Sequence, residues 1–183
     1  MRTSQLSSFN NDWYQPGSRI KLFLWYLVNL IFINSNFPIP IIFKLFILRH
    51  FGARIGRNFM IKPKVNIKYP WLLEIRDNVW IGENAWIDNL AKVTIQSNVC
   101  ISQGAMLLCG NHNYKKSTFD LILGEIVLEE GVWIGAQAVV CPGVKCKSHS
   151  VLTVGSVATK DLEAYSIYQG NPACKIKDRI ISD

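Results

Sequence analysis

From residue 54 onward the aliphatic side chains keep a six-residue beat. They stand at Ile55, Ile61 and Ile67; at Ile75, Ile81 and Ile87; at Ile95, Ile101 and Leu107; and at Leu128, Ile134 and Val140, with Cys146 and Leu152 continuing the series. Small or aliphatic residues commonly follow four places later, as at Val65, Val79, Ala85, Val99, Ala105, Val132, Ala138, Val144 and Ser150. Most other positions are polar or turn-forming. A period of six matches neither the helical 3.6 nor the two of a long strand. It suits a solenoid of short strands and tight turns, with each aliphatic side chain pointing into a narrow interior. Three hexapeptides make one triangular coil, so the pattern predicts about five coils: 55–72, 75–92, 95–112, 128–145 and 146–163.

The beat is interrupted at one phase only. Leu73 with Glu74, and Val93 with Thr94, are two-residue inserts between the first three coils, and 113–127 is a long one between the third and fourth. All three should stack along one edge of the prism, and His112 closes the third coil at that edge. The chain thus divides into an apolar, basic segment (1–53), a solenoid with a loop insertion (54–163) and a tail (164–183). In the first segment the apolar run Leu22–Ile33 is too short to span a bilayer, which takes roughly 20 residues. Its continuation contains Pro38, Pro40 and Lys44, so two short helices separated by a proline-marked break are predicted.

Charge sharpens the picture of that segment. The chain has 183 residues, 49% of them hydrophobic, and a formal net charge of +7. Between Trp13 and Leu73 lie nine Lys or Arg and no Asp or Glu, whereas the rest has eleven basic and thirteen acidic residues. Such an asymmetry points to an anionic surface or ligand. Nucleic acid is not expected, for no recognition motif appears and the basic residues are mixed with long apolar runs. Two readings of the segment stand: in-plane contact with a membrane, or packing on the rest of the protein or another subunit. The apolar run starts about twenty residues in and no small-residue cleavage site follows it, so no secretory signal is read and a cytoplasmic protein is expected. The five cysteines lack CxxC spacing and read as reduced structural thiols rather than a zinc site.

The stretches KPKVNIKYPW, DNVWIGENAWIDNLAKVTI, VCISQGAMLLCGNHNY, VWIGAQAVVCPGV and TKDLEAYSIYQGNPACKIK resemble the hexapeptide-repeat acyltransferases. Within them they are most similar to the acetyltransferases of colanic acid and related exopolysaccharide biosynthesis. The resemblance covers residue 54 to the C-terminus. It implies an all-β left-handed parallel β-helix, a homotrimer with active sites between neighbouring prisms, and acetyl-CoA as acyl donor. It also implies a sugar or lipid-linked glycan acceptor, a direct transfer and no metal.

Acyl transfer from a thioester to a hydroxyl needs a base for the proton, donors for the oxyanion and a groove for the anionic cofactor. His112 sits where the chain leaves the prism, and GNHNY falls where these acetyltransferases carry their catalytic base. Asp88, one coil earlier in WIDNL, is where they commonly have an Asn or Asp that binds the acceptor hydroxyl or places the histidine; an Asx turn is the competing role. Asn89 is a second candidate for the acceptor, and Trp86 either walls a sugar ring or packs between subunits. The resemblance places the Ala136 amide at the thioester as oxyanion donor, and Gly155, Thr159 and Lys160 along the pantetheine and phosphate path. Lys175 and Lys177 follow as phosphate partners, where relatives often carry Arg, with Arg179 the alternative. Gly170, Asn171 and Pro172 read as the turn returning the tail to the prism. Three other functions compete with O-acetylation. Amine acetylation on a sugar nucleotide is one, and a non-catalytic scaffold in a membrane glycan-synthesis complex is another. A zinc enzyme on the same prism is the third; it needs three convergent histidines, which His50, His112 and His149 do not supply.

Overall fold

A computed structural model describes residues 3–182. The six-residue beat builds three flat faces of parallel two- and three-residue strands. The first face stacks Arg54–Ile55, Leu73–Ile75, Val93–Ile95, Ile126–Leu128 and Lys145–Cys146. The second stacks Met60–Ile61, Trp80–Ile81, Cys100–Ile101, Trp133–Ile134, Val151–Leu152 and Ser166–Gly170, and the third Asn66–Ile67, Trp86–Asp88, Met106–Leu108, Val139–Val140 and Val157–Ala158. Neighbours within each stack pair in parallel, with Ile61 against Ile81 and Ile81 against Ile101, for example. The architecture is the expected left-handed parallel β-helix, extended by a partial sixth turn. There Leu162 bridges to Cys146, and Ser166–Gly170 adds a strand to the second face.

The interior is a column of stacked aliphatic side chains. Ile67, Ile81, Ile87, Ile95, Leu107, Leu128, Ile134 and Val140 have no solvent exposure. Corners between the first and second faces need a left-handed backbone. Asn58, Asn78 and Asn98 supply it, since their side chains tolerate that region. The same amides form a ladder: Asn58 donates to Asn78 at 2.9 Å, Asn78 to Asn98 at 3.2 Å, and Asn98 to Glu130 at 3.1 Å.

The edge between the third and first faces carries the insertions, as predicted, but their boundaries differ. Leu73, Val93 and Ile126 are buried strand residues paired across the first face, not insert residues. In a strand, residues two apart share a face, so Leu73 joins Ile75 inside, and the extra chain bulges out before it. The long insertion is likewise shifted from 113–127. Gly110–His112 and Leu121–Leu123 pair antiparallel, with His112 opposite Leu121, and the Gly124 amide closes the base by donating to the Cys109 carbonyl at 2.9 Å. His112 therefore belongs to a β-hairpin projecting from the prism rather than to the third coil.

The first segment forms helices α1 (Arg19–Val28) and α2 (Ile41–His50), separated by a stretch containing Pro38 and Pro40. A five-residue π-helical turn, Asn29–Ile33, extends α1. Trp25, Ile33, Ile47 and Leu48 bury this unit against the prism, whereas Phe23, Ile42 and Phe46 stand in solvent at 62%, 79% and 65% exposure. Lys44 departs from the expected basic surface: it is buried, and desolvation lowers its pKa. No helix among the described residues is long and apolar enough to cross a membrane. At the other end, Ser166–Gly170 turns back through Asn171 and Pro172 into the antiparallel strand Ala173–Asp178. That is the predicted return of the tail.

Candidate active site

His112 is positioned by its hairpin. Its Nδ1 lies 2.9 Å from the Phe119 carbonyl, and its ring stacks on the Phe119 ring with centroids 4.4 Å apart and planes within 8°. A carbonyl only accepts, so Nδ1 carries the proton and Nε2 keeps its lone pair. The residue before it contributes too, because the Asn111 side chain accepts from the His112 amide at 2.8 Å. Phe9 closes the other side of the imidazole, edge-on at 5.4 Å between centroids.

Phe9 belongs to an N-terminal strap laid across this edge. The Gln5 amide donates to the Ser117 carbonyl at 2.8 Å, the Tyr14 hydroxyl to the Leu90 carbonyl, and the Trp71 indole to the Pro16 carbonyl at 2.6 Å. Burial, followed by the neighbouring Tyr69, Asp88 and Cys109, pushes the Tyr14 phenol well above its ordinary range. Burial and then Asp88 raise the Tyr69 phenol in the same way. Cys109, also buried here, is pushed up to about 11 and is an inert thiol at neutral pH.

Asp88 ends its strand on the third face at this edge. It is 7% exposed, and its Oδ1 lies 3.2 Å from the Lys68 ammonium. That contact is an ion pair without hydrogen-bond alignment, since Oδ1 has no hydrogen-bond partner. An oxygen so placed retains accepting capacity for a hydroxyl. The Cys109 amide donates to the Asp88 carbonyl at 3.2 Å, and one residue later the His112 hairpin begins. Asp88 and His112 therefore share an edge of one chain. Asn89 does not join them. It is fully buried, its Oδ1 accepts from the Tyr69 amide at 3.0 Å and its Nδ2 donates to the Tyr69 carbonyl at 2.5 Å. Both ends of its amide are thus engaged by backbone, which gives it a structural role at this corner. Trp86 points outward on the third face, 39% exposed, beside a groove under α1.

The cofactor candidates divide among other parts of the prism. Ala136 and Gly155 stack at the edge between the second and third faces, where the Gly155 amide donates to the Ala136 carbonyl at 2.9 Å. Among the described residues the Ala136 amide donates to no backbone group, a property it shares with Gln103 and Val154 at the same corner. Thr159 and Lys160 are exposed at the edge that bears His112, two coils further on. Lys175 is held by Glu163 at 3.1 Å and Asp178 at 2.9 Å, and hydrogen bonds to Asp178, then Glu163, raise its pKa. Lys177 forms no ion pair among the described residues. Arg179 is committed elsewhere: its Nη1 donates to the carbonyls of Gly131 at 2.9 Å and His149 at 3.1 Å, pinning the tail. His149 itself stacks on Tyr165 at the corner between the first and second faces, far in the fold from the His112 hairpin. Among the described residues no group of three or more His, Cys, Asp or Glu is placed to hold a metal.

Phe9, Tyr14, Lys68, Tyr69 and Phe119 surround His112 and Asp88 without having been singled out from the sequence. Lys68 and Tyr69 lie in the first coil and Phe119 in the long insertion, stretches that the pattern marked; Phe9 and Tyr14 lie in none. The strap has no periodicity, and its contacts join residues as far apart in the chain as Gln5 and Ser117.

No protein-family model matches the chain. It is 33% identical over 167 residues to WcaF of Escherichia coli strain K12, a protein named as a colanic acid biosynthesis acetyltransferase; the alignment covers 91% of this chain and 92% of that one. It is 27% identical over 148 residues to the galactoside O-acetyltransferase of the same organism, covering 79% of this chain and 73% of that protein. Among solved structures, a hexapeptide-repeat acetyltransferase from Vibrio cholerae complexed with acetyl coenzyme A superposes with a TM-score of 0.75. It is 21% identical, covers 89% of this chain and 87% of that one, and at that identity the likeness is one of fold.

Proposed function

The chain belongs to the hexapeptide-repeat acetyltransferases, and from that premise we propose that it moves an acetyl group from acetyl-CoA to a sugar hydroxyl in surface-glycan biosynthesis, with His112 as general base. The observation that carries this reading is the His112 Nδ1 contact with the Phe119 carbonyl at 2.9 Å, which leaves Nε2 free to take a proton. Nε2 removes the hydroxyl proton as the oxygen attacks the acetyl carbonyl carbon. The tetrahedral oxyanion is met by an amide N–H, for which Ala136 is the candidate. Collapse breaks the carbon–sulfur bond, and the imidazolium returns its proton to the departing thiolate. The Phe119 carbonyl also stabilises the imidazolium between these steps, because Nδ1–H donates to it throughout. Asp88 orients the acceptor from the same edge. The names of the relatives, one for colanic acid biosynthesis and one for a galactoside, support a sugar acceptor.

The two halves of this site lie on different edges of one prism, His112 and Asp88 on one, Ala136 and Gly155 on another. A homotrimer in which edges of neighbouring prisms meet brings them together. The outward ladder of Met60, Trp80, Cys100 and Trp133 on the second face, with Trp80 56% and Trp133 47% exposed, offers apolar surface for such a contact.

The exposed Phe23, Ile42 and Phe46, in the stretch from Trp13 to Leu73 that has no acidic residue, support peripheral docking on the inner face of an anionic membrane. Phe23→Asp with Phe46→Asp should then abolish co-sedimentation with phosphatidylglycerol vesicles, and unchanged sedimentation removes the membrane from the reading.

For the catalytic role, His112→Ala should retain the wild-type circular dichroism and lose about 10²–10⁴-fold in acetyl-CoA turnover. The assay screens sugars, nucleotide sugars and lipid-linked oligosaccharides, with amine acceptors alongside. Near-normal turnover by the variant refutes the base, and turnover confined to amines refutes the hydroxyl.

A further inference from the structure

A groove of about 450 Å³ runs between α1 with its π-helical turn and the third face of the prism. Its volume falls within the roughly 300–1,000 Å³ of small-molecule sites. The helix is pinned above it, since the Trp25 indole donates to the Ile67 carbonyl at 2.9 Å. The lining is of two kinds. Tyr26, Leu30 and Trp86 give aromatic and apolar walls, and Asn29, Asn66 and Lys68 give polar groups. Asn66 and Trp86 are directly paired on adjacent strands, so they form a single patch of the third face.

The π-turn begins at Asn29, and π-turns are frequent at functional sites. Asn29 is only 9% exposed; its Nδ2 donates to Asn66 Oδ1 at 2.8 Å, and its own Oδ1 is buried with no donor. A buried carbonyl oxygen without a partner is costly, and because Asn29 lines the groove, a turn of its side chain on binding would bring that oxygen to a ligand hydroxyl. At the other end, Lys68 is paired to Asp88, the acceptor residue of the proposed site. Lys68 therefore links the lining of the groove to the residue proposed to hold the acceptor hydroxyl.

This combination selects its occupant. A phosphate would find one cation, already paired to a carboxylate. An alkyl chain would leave Asn29 Oδ1 unsatisfied. A pyranose presents apolar C–H faces to aromatic rings and hydroxyls to carboxamides around its rim. We propose that the groove is an acceptor subsite that takes the sugar ring adjacent to the one acetylated, so that the preferred acceptor carries at least two rings. The proposal rests on the reading of the protein as a sugar acetyltransferase.

The test compares acetyl-CoA turnover by the full chain on methyl glycosides, on disaccharides extending them by one ring, and on the matching n-octyl glycosides. The disaccharide should be preferred, and Asn29→Leu or Tyr26→Ala should each lower the disaccharide-to-methyl-glycoside ratio of kcat/KM by about tenfold. Tyr26 is 64% exposed, so its truncation leaves the fold intact, as circular dichroism should verify. An unchanged ratio in both variants overturns the subsite. So does a loss that falls on the octyl glycoside instead, which would make the groove a lipid path. Absence of turnover on every sugar is a separate result, for it refutes sugar acetylation itself and the subsite with it.

Discussion

Gly135→Ala should separate two coils at the edge that carries Ala136 and Gly155. Gly135 has no left-handed backbone, so glycine is needed there for space: a Cβ would lie 2.6 Å from the Val154 nitrogen, 2.7 Å from the Thr153 carbonyl carbon and 2.8 Å from the Leu152 oxygen. All three are backbone atoms of the next coil and have no rotamer to change. Restoring the closest contact to an ordinary 3.4 Å opens the coils locally by roughly 0.8 Å. The Gly135 amide donates to the Leu152 carbonyl at 2.7 Å, and the Gly155 amide to the Ala136 carbonyl at 2.9 Å. Both bonds then stretch past about 3.2 Å, the outer limit of good N–H···O geometry. Two lost hydrogen bonds at about 0.5–1.5 kcal/mol each give about 1–3 kcal/mol, which agrees with the roughly 1–3 kcal/mol cost of overpacking. At about 2–4 °C per kcal/mol for a chain of this size, Tm should fall by about 2–12 °C. Thermal unfolding followed by circular dichroism at fixed protein concentration measures it. Because Ala136 is displaced with its neighbour, KM for acetyl-CoA should rise in the same variant. A Tm within a degree of wild type refutes the close-stacking argument, and an unchanged KM removes Ala136 from the cofactor groove.

Asn89→Ala should cost roughly 1–3 kcal/mol, because it strands the Tyr69 amide while the Tyr69 carbonyl keeps the Leu72 N–H; urea unfolding checks this, and a change in acceptor KM without loss of stability would place Asn89 in the site instead. Glu74 is held below its ordinary range chiefly by its hydrogen bond to Lys92, and Glu129 by its hydrogen bond to Lys145. A depressed carboxylate pKa contributes stability that is present above the unfolded value and lost as pH falls through the folded one. Tm should therefore decline as pH drops below about 4.5, and Glu74→Gln with Glu129→Gln should flatten that decline; an equally steep fall in the double variant argues against these pairs. Cys146→Ser, which puts a hydroxyl into the fully buried column, should cost about 1–3 kcal/mol, measured by the same unfolding curves; a neutral result would mean the interior admits water.

The solenoid was legible because its contacts repeat. Ile61, Ile81 and Ile101 meet at offsets of 20, and the side chain each coil needs at each face is the same, so the requirement appears in the sequence as a period. Insert boundaries were not legible, because Leu73 and Val93 satisfy the alternation within a strand as well as the gap between coils, and only pairing across the face distinguishes the two.

The site divides along the same line. The sequence by itself marked His112, through the break in the rhythm and the family resemblance, and Asp88, one coil before it, through the resemblance. It did not determine the tautomer of His112, since that follows from a carbonyl seven residues away in a hairpin that the period does not describe. Nor did it determine that Asn89 serves the Tyr69 backbone, that Lys44 is buried, or that the strap from Gln5 to Pro16 covers the edge that bears His112. A periodic lattice of identical neighbours is written into every repeat and can be read from any of them. Contacts made once, between segments that the chain brings together only after the coils are stacked, leave no period behind, and the tertiary structure alone decides them.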